Sequence, residues 1–154
     1  MWCVPSVLVY ARRGDEVLLL KRNQEPNAGL WVAPGGKVAL GESPDETARR
    51  EMAAGTGLEV AALQLRGLCT LVPAAPQWSW YVFVFVTDRF RGTLRPDGAD
   101  GELAWVSVER YRTDLPVPPA DAIFAPQVLG RTGGCYQVKF VFDAEKRLVE
   151  WVAY

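Results

Sequence analysis

Residues 36 to 58 read GKVALGESPDETARREMAAGTGL, and this stretch decides the fold. Its middle spells a helix start. Ser43 offers a capping oxygen, Pro44 fits the first helical position, and Asp45 and Glu46 suit the positive end of the dipole. Thr47 to Ala54 continues with good helix formers, and Gly55 and Gly57 are expected to end the run. Just upstream, Trp31-Val32-Ala33 leads into Pro34-Gly35-Gly36, which predicts a break in regular structure. The order is therefore loop, helix, turn. Positions 51, 54 and 55 are spaced i+3 and i+4, so they share one helical face. They are Glu51, Ala54 and Gly55, which leaves one acid on that face.

The chain on either side reads mostly as strands. Val4 to Tyr10 and Val17 to Leu20 are β-rich, with a hairpin turn at Arg12-Arg13-Gly14-Asp15-Glu16 between them. Beyond the helix come Leu58 to Leu63, Leu65 to Val72 and Trp78 to Thr87. The last is apolar on both faces, with Trp78, Trp80, Val82, Val84 and Val86 opposite Tyr81, Phe83 and Phe85, so both sides should be covered. Arg95 to Gly101 reads as a polar loop and Leu103 to Val108 as a strand. Ala120 to Leu129 predicts a second helix, which Pro126 should kink or end. Tyr136 to Phe142 and Arg147 to Val152 close the chain as a hairpin around Asp143-Ala144-Glu145-Lys146. With 154 residues and no linker or repeat, the expectation is one mixed domain spanning residues 1 to 154.

Composition narrows the function. The chain is 49% hydrophobic and 23% charged with a net charge of −1, so no field favours nucleic-acid polymers or membrane surfaces. Histidine is absent, which removes histidine bases, histidine zinc sites and Ser-His-Asp triads. Cys3, Cys69 and Cys135 are far apart and odd in number, and they read as reduced, half-buried thiols. The first apolar run breaks at Arg12-Arg13-Gly14-Asp15, as a strand does and a signal peptide does not. No apolar stretch is long enough to span a bilayer, and a cytoplasmic location is expected.

The spacing within residues 36 to 58 resembles the Nudix box, G-x5-E-x7-R-E-U-x-E-E-x-G-U with U apolar. Gly36, Glu42, Arg50, Glu51, Met52, Gly57 and Leu58 match seven of its nine specified positions. Allowing any two misses, such a match arises by chance in roughly one chain in a few thousand. The resemblance implies a Nudix fold, an α/β (α+β) sandwich with a mixed β-sheet between helices and the box helix on one side. It also implies a hydrolase that cuts a nucleoside di- or triphosphate derivative. A divalent cation, Mg2+ or Mn2+, would neutralise the diphosphate and orient the attacking water. By resemblance Arg50 and Glu42 brace the loop against the helix, Gly57 closes the box, and Gly35 and Gly36 let backbone approach the phosphates.

The departures from the family pattern carry their own expectations. Ala54 and Gly55 stand where the family has two further glutamates, and Ala39 where it commonly has another. Metal affinity should fall and turnover with it; a nucleotide-binding domain without catalysis is the alternative, and an interaction domain a third. Magnesium can manage with one or two carboxylates plus substrate phosphates. Glu46 and Glu102 are the candidates to assist Glu51, and Glu102 precedes a Trp105 strand as a metal ligand or base does in several relatives. Read blandly, Glu102 is a solvated loop acid.

A finer resemblance, to the oxidised-purine nucleoside triphosphate diphosphatases, rests on four segments. These are Ala28-Gly29-Leu30-Trp31, Gly35-Gly36-Lys37-Val38, the Trp105 strand and Val138-Lys139-Phe140-Val141-Phe142. It implies a base pocket in which Asp121 supplies one hydrogen bond, while Val32 replaces that family's asparagine. Lys37 is either a phosphate contact or a solvated surface lysine. Trp78, Trp80, Tyr81 and Phe83 should be mostly core. The expected partner is a small-molecule nucleotide, with the chain acting as a monomer or homodimer.

Overall fold

The computed structural model describes residues 2–75, 78–95 and 97–154. Pro96, within the polar loop expected from the sequence, lies outside them. Twelve strands and three helices follow in chain order among the described residues. They are β1 (Trp2–Arg13), β2 (Glu16–Arg22), β3 (Trp31–Val32), β4 (Gly35–Lys37), α1 (Pro44–Thr56), β5 (Leu58–Val60), β6 (Gln64–Val72) and β7 (Trp78–Thr87). Then come β8 (Phe90–Gly92), β9 (Asp97–Gly98), β10 (Gly101–Ser107), α2 (Val108–Thr113), α3 (Pro119–Leu129), β11 (Tyr136–Phe142) and β12 (Leu148–Ala153). The main sheet runs β12-β11-β6-β7-β1-β2-β10-β9, with β3 on β2 and β4 on β1. It is mixed, since β1 pairs β7 and β11 pairs β6 in parallel while the remaining pairs are antiparallel.

Alternation along the central strands explains the layers. Tyr10, Val17, Leu19, Val82 and Val84 join a core cluster with Phe124, Val128 and Phe140. Their sequence neighbours Val9, Leu18, Leu20 and Phe85 point to the other face and join a second cluster with Ala48 and Met52. Strands apolar on both sides need cover on both sides. Helix α1 packs over β1, β4 and β5, and α3 over β6, β7 and β11. The sandwich expected from the sequence is the one observed.

Several local expectations differ. Gly35-Gly36-Lys37 forms β4 on β1 rather than a break, because glycine there permits backbone contact that a side chain would forbid. A Cβ on Gly35 would run into the carbonyl oxygen of Val7, and no rotamer relieves a backbone clash. We therefore expect Gly35→Ala to cost about 2–3 kcal/mol of stability, measured by denaturant midpoint. A midpoint equal to wild type would remove the close approach as the reason for glycine. Gly55 lies inside α1, and only Gly57 ends it, in a left-handed conformation (φ 83°). Helix α3 continues through Pro126, and α2 was not foreseen.

Trp78, Trp80, Tyr81 and Phe83 are not fully buried; Tyr81 is exposed, and Trp78 and Trp80 pack edge-on at 5.7 Å. Among the thiols, Cys69 is buried while Cys3 and Cys135 are exposed. Among the described residues no helix is long and apolar enough to cross a membrane.

Candidate active site

The box helix is anchored at its start by reciprocal hydrogen bonds. The Glu46 amide donates to Ser43 Oγ at 3.1 Å, and the Ser43 amide donates to Glu46 Oε1 at 3.0 Å. This capping box engages the Glu46 carboxylate at the helix end. Glu46 also lies five residues before Glu51, roughly 140° around the axis, so the two do not share a face.

Glu42, Arg50 and Glu51 form a connected chain. Arg50 Nε and Nη2 each donate to Glu42 at 2.9 Å, and Thr47 Oγ1 donates to Glu42 Oε1 at 2.8 Å. Hydrogen bonding to Arg50, then to Thr47, holds the Glu42 carboxyl down at about 2. Arg50 is pushed up in turn, chiefly by Glu42. Its remaining nitrogen, Nη1, donates to Glu51 Oε1 at 3.0 Å. The Glu51 carboxylate lies against the bare backbone of Gly36, where an added Cβ would sit 2.6 Å from Glu51 Cδ. The brace between Glu42 and Arg50 implied by the resemblance is present.

The rest of that helical face is open. Ala54 and Gly55 are exposed, and a Cβ on Gly55 would meet nothing within 4 Å. The carboxyl end of α1 carries an arginine that the sequence did not single out. Arg95 Nη2 donates to the carbonyls of Ala53 and Ala54, at 2.9 and 2.5 Å. Gly98 of β9 also reaches this end, with a built Cβ 3.4 Å from the Gly55 carbonyl oxygen.

Glu102 is exposed on β10 and lines a cavity of about 380 Å³ with Lys21, Arg22, Asn23, Gly98 and Gly101. Its neighbour Leu103 packs in the cluster under α1, so strand alternation turns Glu102 to the opposite face. Glu46, Glu51 and Glu102 are thus not gathered on one side. Among the described residues no three acidic or thiol side chains come together to hold a metal ion.

The other face of the sheet carries a second group. Lys37 alternates with Gly36 and therefore points away from Glu51, its Nζ 5.5 Å from the Trp80 ring. Asp121 is buried in the first turn of α3, and burial raises its carboxyl from 3.8 to about 7. Burial and then Asp121 push the Cys69 thiol up to about 12. The Tyr10 and Tyr111 hydroxyls share a hydrogen bond of 2.8 Å, and Asp121 raises both of their pKa values as well, after burial. Ser6 Oγ is buried with no hydrogen-bond partner among the described residues, and no motif in the sequence points to it.

The raised Asp121 pKa fixes the sign of a pH effect. The folded chain keeps the proton longer than the unfolded chain, so stability falls as pH rises from about 4 to about 7 and levels off above. Asp121→Asn should therefore stabilise the protein more near pH 8 than near pH 5, by about 2 kcal/mol. Urea titrations at the two pH values measure this, and an equal effect at both would sink the assignment.

Residues 4–128 match the NUDIX domain. The chain belongs to the Nudix family. YvcI of Bacillus subtilis, an uncharacterized Nudix hydrolase, is 36% identical over 110 residues, covering 70% of this chain and 67% of YvcI. An ADP-ribose pyrophosphatase of Methanocaldococcus jannaschii is 31% identical over 93 residues, 59% of this chain and 55% of that protein. Among solved structures, a MutT protein from Bacillus halodurans superposes with a TM-score of 0.88 at 27% identity, covering 97% of each chain.

Nudix hydrolases generally use divalent cations. Set against that requirement, the residues of this chain do not fit a resident ion. Glu51 alone remains on the box face, Glu42 is tied to Arg50, and Glu46 caps the helix.

Proposed function

We propose that this Nudix protein is a pyrophosphohydrolase for a nucleoside di- or triphosphate derivative, working with Mg2+ or Mn2+ at a reduced rate. The observation that carries the reading is Glu51, held over Gly36 by the Arg50–Glu42 brace. Two departures set the rate: Ala54 and Gly55 remove carboxylates from a reaction whose barrier depends on neutralising phosphate charge. In this reading the Gly35-Gly36 backbone beside Glu51 receives the phosphates and Asp121 gives one hydrogen bond to the base, whereas Lys37 and Glu102, on the other face, take no part at the cut. The substrates are cytoplasmic nucleotides, and the chain acts as a monomer or homodimer. The exposed Val149, Trp151 and Val152 of edge strand β12 favour the dimer.

A second reading has one observation in its favour. Arg95 occupies the helix end where further acids would be useful, which suits a domain that binds nucleotide without cutting it. Incubation with magnesium or manganese and a panel of nucleoside di- and triphosphates and nucleotide sugars separates the two. Release of a monophosphate supports the hydrolase. No release, with nucleotide raising the melting temperature, supports the binding domain. Neither response would end both.

A further inference from the structure

We infer that two copies of this chain pair their β12 strands edge to edge, antiparallel about a two-fold axis at Val152, and join their sheets into one. This interface goes beyond the hydrolase reading and does not depend on it.

The two edges of the main sheet are unlike. One ends in β9, which is two residues long, and the other in β12, which is six. An open edge is commonly blunted by lysine, proline, a bulge or a very short strand. Residues 148 to 153 read LVEWVA, without lysine or proline, and the irregularity at Val141/Phe142 leaves the pairing from Glu150 onward regular. Helix α1 packs over β1, β4 and β5, and α3 over β6, β7 and β11, so β12 lies beyond their cover. Val149, Trp151, Val152 and Tyr154 are exposed, and they make up half of the exposed large apolar side chains among the described residues. Apolar surface gathered in one place marks a contact with another chain.

The backbone shows which chain fits. The Tyr154 amide donates to the Gln137 carbonyl, so by alternation Tyr154, Val152 and Glu150 bond to β11 while Trp151 and Ala153 turn their N–H and C=O groups outward. An antiparallel copy centred on Val152 sets Trp151 against Ala153 of the second copy, and all four outward groups find partners. A centre at Glu150 would oppose two carboxylates, which is unfavourable. With the centre at Val152, Glu150 faces Tyr154 of the second copy instead. The strand is complementary to itself, as a two-fold interface requires.

The test is sedimentation of the intact protein from ~5 to ~500 µM, a range suited to a small interface, with backbone hydrogen exchange read at both ends. We expect the dimer to fill in as concentration rises. The Trp151 and Ala153 amides should then exchange at least ~10-fold more slowly, while the Val152 and Tyr154 amides, already bonded to β11, hold steady. Val152→Glu places two carboxylates face to face at the axis, and Lys139 lies opposite on β11 to pair with each. That variant should keep the wild-type melting temperature and sediment as a monomer throughout. A wild-type monomer at every concentration would overturn the inference. So would a dimer whose Trp151 and Ala153 amides exchange at the monomer's rate, or a dimer that survives Val152→Glu. Nucleotide hydrolysis enters none of these measurements, so their failure leaves the proposed activity standing.

Discussion

The double substitution Ala54→Glu, Gly55→Glu is expected to raise nucleotide hydrolysis ~100-fold or more, since metal-borne charge neutralisation is worth several kcal/mol of barrier. The scaffold has room for it. Ala54 is exposed, and nothing stands within 4 Å of a Cβ placed on Gly55. Stability should hardly move, because two small effects oppose. Replacing glycine inside a helix gains about 0.5–1 kcal/mol, while an acid at the carboxyl end costs about 0.3–1 kcal/mol. Arg95, already at the Ala54 carbonyl, is placed to steady the new carboxylates. Monophosphate release under magnesium, alongside a melting curve, measures the outcome. A flat rate in a folded variant would locate the deficit in the substrate pocket instead of the missing ligands.

Glu51→Gln is expected to work in the opposite direction and to remove turnover, by ~1000-fold or to the limit of detection. The fold should not notice. The Glu51 side chain is 27% exposed, and its pairing with Arg50 is a surface ion pair worth about 0–1 kcal/mol. Glutamine keeps the shape over Gly36 and can still accept from Arg50. Loss of rate with an unchanged melting temperature therefore reports on charge at one atom. If the variant still turns over, Glu51 is not the carboxylate that serves the reaction.

Much of the scaffold was legible because its signals are local. Ser43, Pro44 and Glu46 marked the start of α1 through cap chemistry, and the capping box is there. The two-sided apolar pattern of Trp78 to Thr87 announced a central strand, and the clusters on both faces bear it out. What escaped depends on contacts distant in sequence. Gly35-Gly36 reads as punctuation until β1 lies beneath it, when the same lack of side chain becomes the condition for pairing. Pro126 removes one helical hydrogen bond, yet buried Phe124, Ala125, Val128 and Leu129 hold α3 together around it. Six residues are too few for α2 to show a period. In the site, the Glu42–Arg50 brace was implied by the resemblance to the Nudix box, and it is present. The side of the sheet that Glu102 takes, the capping by Arg95 and the solitary Ser6 hydroxyl were not, since each is decided by register or by a chain segment far away.

Among the described residues the core forms two separate clusters on opposite faces of the sheet, one under α1 and one under α3. Groups that share no packing partner respond independently, so energetic changes on the two sides should simply sum. Exchanges around Asp121 should then leave the stability contributions of the residues around Glu51 unchanged. The sheet works as a partition, and sequence change on one side of it leaves the other side's packing alone.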